Sequence, residues 1–237
     1  MDADFTIVIP VYNEEDNLLR LEQEFQEYLK IAAKPTQILF VNDGSKDKSL
    51  SLIKEICQRN EAFHYLNFDQ NYGLSAAIKA GFDATTTKWV GYIDADLQTA
   101  PEDFNKLLAY AEQYDLVTGV RADRKDSFVK NMSSKIANSI RRAFTDDGMD
   151  DTGCPLKVIN AEMAKKIPMF NGLHRFFPAM ILLQNGTVKQ IPVRHFPRIA
   201  GQSKFNLWNR LLGPLMDCFA YVWMKKKYIN YKVQDRA

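Results

Sequence analysis

Two patterns of hydrophobic and polar positions, one typical of strands and one typical of helices, alternate along the first half of the chain. Short apolar runs typical of buried strands are each followed by a longer stretch in which apolar residues recur three or four positions apart, as in an amphipathic helix. The predicted strands cover 5–12, 36–43, 63–68, 88–96 and 115–120. The predicted helices cover 13–30, 45–60, 73–85 and 101–114. This order predicts an α/β fold with a mostly parallel, Rossmann-like sheet flanked by helices.

After residue 120 the pattern is less regular. It predicts a basic loop leading into a helix over 121–144 and a loop with a short strand over 146–159. A mostly buried helix over 172–186, a strand over 187–197 and a Gly/Ser/Lys loop over 198–206 are predicted next. An apolar helix over 207–233 follows and carries lysines at 225–227. We therefore expect one domain over 1–206 and a C-terminal amphipathic helix over 207–237. That helix lies in a membrane interface, or packs on the core or on a second subunit.

The composition is that of an ordinary globular protein. Of 237 residues, 46% are hydrophobic and 25% are charged, which fits one large domain. Three cysteines without metal-ligand spacing, Cys57, Cys154 and Cys218, predict a reducing compartment and no disulfide framework. The chain shows neither a signal peptide nor an apolar run of about eighteen residues. We therefore expect a cytoplasmic protein.

The charge is unevenly distributed along the chain. Residues 1–116 hold 10 basic and 20 acidic residues, whereas residues 117–237 hold 21 and 9. This difference is either ordinary surface variation or a sign that the second half faces phosphates or a membrane surface. The basic residues are scattered and no nucleic-acid-binding motif accompanies them, so nucleic acid is not an expected partner.

Polar residues follow four of the predicted strands. In parallel sheets, ligands bind beyond the carboxyl ends of the strands, so we expect these residues to meet at one edge. They are the segments 10–14, 42–45, 71–73 and 94–96. The turn 42–45 (Asn-Asp-Gly-Ser) is ordinary turn chemistry, but its place at this edge makes Asp43 a candidate acceptor for a base or ribose.

Two aspartates one residue apart, Asp94 and Asp96, end the fourth predicted strand. Like charges this close repel each other unless a cation lies near them. Mg²⁺ and Mn²⁺ take oxygen ligands and are often shared with substrate phosphates, and Gln98 could add a further oxygen. The alternative is a pair of surface acids that caps the helix beginning at Pro101.

Several common motifs are missing. There is no G-x-G-x-x-G after the first strand, no phosphate-binding G-x-x-x-x-G-K-[ST] and no G-x-S-x-G. These absences argue against a dinucleotide-binding fold, a P-loop enzyme and a common hydrolase. The histidines His64, His174 and His195 lack metal-ligand spacing.

The motifs "VIPVYNEEDNL", "VNDGSKDKS", "NYGLSAAIKAGF" and "YIDADLQTAPED" occur in the order seen in family 2 glycosyltransferases. The segments "GVRADRKDSFVK", "DTGCPLKV", "GLHRFFPA" and "VRHFPRIAGQSKFN" resemble its polyprenyl-phosphate (dolichyl-phosphate mannose synthase-like) branch. The resemblance covers roughly residues 5–210. It implies a GT-A fold, a GDP- or UDP-sugar donor, Mg²⁺ or Mn²⁺ as cofactor, a polyprenyl phosphate acceptor and inversion at the anomeric carbon.

The resemblance also implies roles for particular residues. It places the nucleotide-sugar against Pro10, Tyr12, Glu14, Asp43, Gly73 and Lys79. It assigns the metal and the diphosphate to Asp94, Ala95, Asp96 and Gln98. It assigns the acceptor phosphate to Arg121, Arg124 and Lys130. It places Arg198, Ser203 and Lys204 on a loop that closes over the donor, with Gly201 as its hinge.

The acceptor decides whether a base is needed. A lipid monophosphate is largely a dianion at pH 7 and attacks without a strong base, so the reaction needs positioning and electrostatics, which fits Arg121, Arg124 and Lys130, with Asp96 as a further catalytic residue. A saccharide hydroxyl would need a base, for which Asp151 is the first candidate and Asp150 the second. Two further alternatives are a sugar nucleotidylyltransferase, which would need a Gly-rich first loop, and a non-catalytic nucleotide-binding module. We expect a peripheral protein on the cytoplasmic face of a membrane, with a homo-oligomer as a further form.

Overall fold

The computed structural model describes residues 3–121, 142, 144–196, 207–231 and 234–235, with the backbone alone over 207–214. The strands are β1 Phe5–Val11, β2 Thr36–Asn42, β3 Phe63–Asn67, β4 Trp89–Tyr92, β5 Leu116–Arg121, β6 Lys157–Asn160 and β7 Val188–Val193. The helices are α1 Glu15–Ile31, α2 Ser49–Arg59, α3 Leu74–Ala84, α4 Phe104–Leu108, α5 Ala161–Lys165, α6 Phe177–Leu183 and α7 Leu207–Lys227. Two 3₁₀ turns cover Pro101–Asp103 and Leu173–Phe176.

The seven described strands form one sheet in the order β3-β2-β1-β4-β6-β5-β7. Strands β1 to β4 are parallel to one another, and β5 is parallel to β7. Strand β6 lies between β4 and β5 and is antiparallel to both. The predicted α/β fold with a mostly parallel sheet is therefore confirmed. The direction of β6 was not predicted, because the pattern of a short strand does not show which neighbours it will join.

The two faces of the sheet carry separate cores. On β1, Ile7 and Ile9 face the core that is covered by α1, α2 and α4. Val8 faces the other core, which includes Tyr92 of β4 and residues of α3, α5, α6 and α7. A strand that is covered on both faces reads as a continuous apolar run, as β1 does.

Several element boundaries differ from the prediction, including the end of α7, which lies at Lys227 instead of residue 233. Strand β4 ends at Tyr92 instead of residue 96, so the two aspartates lie in the turn that follows it. Leu97 in that turn has a positive φ of 51°, which a continued strand does not allow. The predicted helix over 101–114 is a 3₁₀ turn followed by the short α4, and the predicted helix over 172–186 is a 3₁₀ turn followed by α6. Helix α5, which the side chain of Asn160 caps, was not predicted.

Over residues 215–227, helix α7 buries one side against the rest of the described structure. Cys218 and Tyr221 are buried, and the ring of Tyr221 stacks on Phe176 at 6.0 Å. Trp223, by contrast, is 66% exposed. Within the residues that the structure describes, no helix combines the length and the apolar character that crossing a bilayer requires.

Candidate active site

The loops after β1 and β2 are joined by reciprocal hydrogen bonds. Ser45 Oγ accepts from the backbone N–H of Asn13 at 3.0 Å, and the Oδ1 of Asn13 accepts from the backbone N–H of Lys46 at 2.8 Å. Ser49 Oγ accepts from the backbone N–H of Glu14 at 2.9 Å. The predicted site residues Tyr12 and Glu14 therefore lie on a loop that is held against the end of β2.

Asp43 organises the loop after β3. Its carboxylate accepts hydrogen bonds from the Nδ2 of Asn71 at 2.7 Å and from the backbone N–H groups of Tyr72 and Gly73 at 2.7 and 2.9 Å. Burial raises the pKa of Asp43, and the two backbone hydrogen bonds oppose that rise. The structure thus gives Asp43 a positioning role. Its predicted contact with a base or ribose stays a prediction.

A pocket of about 520 Å³ lies between the ends of β1, β2 and β3. This volume falls in the range of small-molecule sites. The lining residues are mostly polar and come from the three loops just described: Tyr12, Asn42, Gly44, Ser45, Lys46, Leu50, Asn67, Phe68, Asp69, Gln70 and Asn71. This group contains the predicted Tyr12, whereas the predicted Glu14, Asp43 and Gly73 are not among the lining residues.

Gly44 is required where two of these loops meet. Its φ is +64°, and a Cβ placed there would lie 2.3 Å from the backbone carbonyl carbon of Gln70. Gly148 has a similar φ of +67° and no atom within 4 Å of the same position, so it serves as a matched control. We expect Gly148→Ala to lower the free energy of unfolding by about 1–2 kcal/mol through backbone strain alone.

We expect Gly44→Ala to lower the free energy of unfolding by about 1–3 kcal/mol more than Gly148→Ala does, because the two loops must also move apart. Urea unfolding measures the two losses, and titration with UDP and GDP shows whether the pocket still binds. Equal losses for the two variants would mean that the close approach of the loops at Gly44 is not tightly held.

The turn after β4 holds the two aspartates in fixed directions. The hydroxyl of Tyr92 donates to the Oδ1 of Asp94, and the backbone N–H of Gln98 donates to the Oδ1 of Asp96 at 3.2 Å. Gln98 is in turn tied to Phe196, whose backbone N–H donates to the carbonyl oxygen of Gln98 at 2.8 Å. The side-chain Nε2 of Gln98 reaches the carbonyl oxygen of Phe196 at 3.4 Å.

The donor set of this turn fits a hard divalent cation that is shared with a substrate. Asp94 and Asp96 supply carboxylate oxygens and Gln98 an amide oxygen, as Mg²⁺ and Mn²⁺ prefer. Within the described residues, no group of three or more His, Cys, Asp or Glu side chains is placed to cage a metal. Two carboxylates completed by substrate phosphates are a usual arrangement for Mg²⁺.

Lys157 is a buried cation next to this turn, only 1% exposed. It pairs with Tyr92 across the strands, and its ammonium lies 5.9 Å from the centroid of that ring. The ammonium donates to the backbone carbonyl of Cys154. Burial lowers the pKa of Lys157, and the charges of Asp151 and Asp94 oppose that fall. Lys157 therefore lies between the predicted metal site and the predicted base.

Arg121 and Asp151 form a bidentate ion pair at the edge of the site. The Nε and Nη2 atoms of Arg121 donate to the two oxygens of Asp151 at 2.7 and 2.8 Å. Both side chains are mostly buried, at 15% and 9% exposure. Asp150, by contrast, is on the surface and pairs with Arg142 at 3.0 Å. The structure thus favours Asp151 over Asp150 as a part of the site.

Other predicted residues lie apart from this group or outside the described residues. Lys79 pairs with Asp83, one turn further along α3, and is not brought to the strand ends. Pro10 is buried within β1, and Ala95 is buried between the two aspartates. Arg124, Lys130, Arg198, Gly201, Ser203 and Lys204 lie outside the described residues.

The model of glycosyl transferase family 2 matches residues 6–167. The chain belongs to glycosyl transferase family 2. The undecaprenyl-phosphate 4-deoxy-4-formamido-L-arabinose transferase of Edwardsiella ictaluri is 33% identical over 217 residues, which are 90% of this chain and 67% of that protein. This family 2 member is therefore a glycosyltransferase, as the sequence predicted.

Solved structures confirm the predicted GT-A fold of this family 2 enzyme. Glucosyl-3-phosphoglycerate synthase from Mycobacterium tuberculosis, in complex with Mn²⁺, UDP and glucosyl-3-phosphoglycerate, has a TM-score of 0.69 at 12% identity. The match covers 96% of this chain and 81% of that one. A mannosyltransferase from Pyrobaculum calidifontis, in complex with GDP-Man and Mn²⁺, has a TM-score of 0.67 at 17% identity, over 93% of this chain and 64% of that one.

Proposed function

We propose that this enzyme is an inverting, metal-dependent glycosyltransferase that moves a sugar from a GDP- or UDP-sugar to a polyprenyl phosphate. One observation carries the choice of acceptor: Asp151, the carboxylate best placed to act as a base, has both oxygens in an ion pair with Arg121. Taking a proton from a hydroxyl would disrupt that pair, so an acceptor that is already an anion suits the site better. The Edwardsiella ictaluri relative, named for undecaprenyl phosphate, supports this choice.

The nucleoside of the donor would occupy the pocket at the ends of β1, β2 and β3. Its size and polar lining suit a nucleoside, and the ring of Tyr12 offers an apolar surface to a base. Asp43 supports the site by holding the loop that ends at Gly73. Uridine and guanosine donors are both proposed, because the solved neighbours were captured with UDP and with GDP-Man.

Asp94, Asp96 and Gln98 are the residues that would hold Mg²⁺ or Mn²⁺. A cation bound there would neutralise charge on the departing nucleoside diphosphate. The protein's own part is to fix the carboxylates before the substrate arrives, through the hydroxyl of Tyr92 and the backbone of Gln98. Phe196 is bonded to Gln98 and is the last residue described before the segment 197–206. That segment carries the predicted donor-binding residues Arg198, Ser203 and Lys204, which also remain part of the proposal.

The acceptor phosphate would attack the anomeric carbon without a general base. The second pKa of a phosphate monoester is about 6, so its oxygens are largely ionised at pH 7. Arg121 and the predicted Arg124 and Lys130 would hold this dianion in line with the leaving group. Asp151 would then act as a positioning residue, since it orients the guanidinium of Arg121.

Acceptors that differ only in the phosphate test this proposal. The enzyme is given a donor with, in separate reactions, a short polyprenyl phosphate, the corresponding polyprenol and a saccharide, and products are identified by mass spectrometry. We expect a glycosylated product only from the phosphate. Asp151→Asn should slow this reaction by roughly ten- to a hundredfold, because one charged hydrogen bond to Arg121 is weakened.

Two other results would contradict the proposal. Transfer to the saccharide that disappears in Asp151→Asn would show a hydroxyl acceptor with Asp151 as the base. Nucleotide binding without transfer to any acceptor would support a non-catalytic module.

We further propose that residues 207–237, which include α7, form a separate segment that docks the enzyme on a membrane. Met216, Phe219 and Trp223 are exposed and follow one another at helical spacing, and the lysines 225–227 come next. An apolar stripe beside a lysine cluster suits the interface of an anionic bilayer. The three cysteines are free thiols, which is compatible with a place on the cytoplasmic face.

Vesicle flotation of the full chain measures this docking. We expect binding to vesicles that contain phosphatidylglycerol and weak binding to phosphatidylcholine alone. Replacing the lysines 225–227 by alanine should weaken binding by about 3 kcal/mol, or roughly a hundredfold, at about 1 kcal/mol for each lysine. The double variant Phe219→Ser/Trp223→Ser should also fail to float.

Leu19→Ser is the matched control, because Leu19 is an exposed apolar residue on α1, away from α7. Unchanged flotation of both α7 variants would contradict membrane docking. A wild-type dimer that the Phe219→Ser/Trp223→Ser variant disperses would show that a second copy covers this face instead.

A further inference from the structure

The 3₁₀ turn Leu173–Phe176 lies against the start of α3, close to the proposed donor pocket. Ser75 Oγ accepts from the backbone N–H of Gly172 at 3.0 Å and shares a hydrogen bond of 2.9 Å with the Nδ1 of His174. Burial lowers the pKa of His174 to about 3, so the imidazole is neutral near pH 7 and serves to anchor the turn. The next residue in this anchored turn is Arg175.

Arg175 is a partly exposed cation with one ion-pair partner among the described residues. Its guanidinium lies 3.8 Å from the carboxylate of Asp217 on α7, and the two side chains are 32% and 17% exposed. Among the described residues, no side-chain hydrogen bond to Arg175 accompanies this contact, although a guanidinium carries five N–H donors. Because 32% of this side chain is exposed, its remaining N–H donors are within reach of a ligand with acceptor oxygens.

The charges around Arg175 also favour the binding of an anion. Burial lowers the pKa of Arg175, and the charge of Asp217 opposes the fall only in part. Burial likewise raises the pKa of Asp217 against the effect of Arg175. At 3.8 Å, this pair does not replace the water that both groups have lost. An anion with several acceptor oxygens would compensate the arginine better than Asp217 does.

The turn that carries Arg175 also lies near the proposed donor site. It is bonded to Ser75 at the start of α3, and Asp43 accepts a hydrogen bond from Gly73 just before that helix. On the other side of the turn is α7, whose outer face is proposed to meet the membrane. A phosphate that reaches the site from a lipid surface at α7 would pass between these two elements.

We propose that Arg175 binds the phosphate of the acceptor and that Asp217 holds the guanidinium in place until the phosphate arrives. The inference rests on the proposed transfer to a lipid phosphate. The planar guanidinium can donate two parallel hydrogen bonds to phosphate oxygens, which a lysine cannot do in the same geometry. Asp217 then competes with the phosphate for Arg175, and its removal favours the substrate.

Steady-state kinetics with varied donor and varied polyprenyl phosphate test this assignment. We expect Arg175→Gln to raise the KM for the lipid phosphate about ten- to a hundredfold, the effect of losing a charged hydrogen bond, and to leave the donor KM within about twofold. Arg175→Lys should show a smaller increase in the same constant. Asp217→Asn should lower the KM for the lipid phosphate. Arg20→Gln, at an exposed ion pair on α1, is the control and should change neither constant.

The outcomes separate the possible errors. If wild-type enzyme transfers no sugar to the lipid phosphate, the proposed function fails. If wild type is active and Arg175→Gln and Arg175→Lys change neither KM, only this inference fails. A rise in the donor KM alone would show that Arg175 binds the donor diphosphate. A fall in stability together with an equal rise in the KM of both substrates would show that Arg175 has a structural role. If Arg175→Gln does not fold, the KM values of Arg175→Lys, which keeps the charge, test whether Arg175 binds the lipid phosphate.

Discussion

Replacing Asp96 by alanine is expected to lower the rate of sugar transfer by about a thousandfold while the protein remains folded. Asp96 lies in the turn after β4, where the backbone of Gln98 directs one of its oxygens. In the proposed mechanism this carboxylate helps to hold the cation that faces the diphosphate. Its loss leaves the charge of the leaving group without compensation in the transition state, where that charge is greatest.

The measurement is kcat for release of nucleoside diphosphate at saturating donor and acceptor, together with urea unfolding. Glu27→Ala is the control, because Glu27 is an exposed acid that pairs with Lys30 on α1. The control should match wild type in both measurements. An Asp96→Ala enzyme with kcat within about tenfold of wild type would exclude Asp96 from the metal and diphosphate site.

Replacing Lys157 by alanine is expected to lower the free energy of unfolding by about 2–5 kcal/mol, because a cavity forms and buried carbonyls lose their donor. The ammonium of Lys157 donates to the backbone carbonyls of Thr152 and Cys154, and its charge faces those of Asp151 and Asp94. Without it, buried carbonyls lose their donor and the two acids lose a compensating charge.

Lys157→Met separates the charge from the packing. Methionine fills much of the same space, so we expect a smaller loss of stability than for alanine, together with a marked fall in kcat because the acids shift in position. Urea unfolding and kcat measure the two effects. Lys30→Ala, at an exposed lysine, should change stability by less than about 0.5 kcal/mol. Equal stability of Lys157→Ala and wild type would show that Lys157 does not support the site.

Much of the fold follows from local patterns that the sequence displays directly. The apolar run of β1 and the spacing of α1 predicted both elements, because each depends on its own residues and on coverage by a core. The positions of Tyr12 and Asp43 could also be predicted from the sequence, since the carboxyl ends of parallel strands meet at one edge. Asp94 and Asp96 were placed at that edge as well, although in a turn instead of a strand.

What the sequence did not reveal depends on contacts between distant segments. Lys157 is important because β6 enters the sheet antiparallel between β4 and β5, and its only local signal was a lysine in an apolar run. Arg175 and Asp217 meet only because α7 packs on the turn Leu173–Phe176. The ion pair of Arg121 with Asp151 is also a contact across the fold, and it joins a predicted phosphate ligand to a predicted base.

The most direct test of the central claim is release of nucleoside diphosphate from a panel of donors. The protein is incubated with GDP-mannose, UDP-glucose or UDP-N-acetylglucosamine, each with and without Mg²⁺ or Mn²⁺ and with and without a short polyprenyl phosphate. We predict that one donor releases its diphosphate only when both the cation and the lipid phosphate are present. Release that continues without the lipid phosphate, or that is unaffected by a metal chelator, would contradict the account.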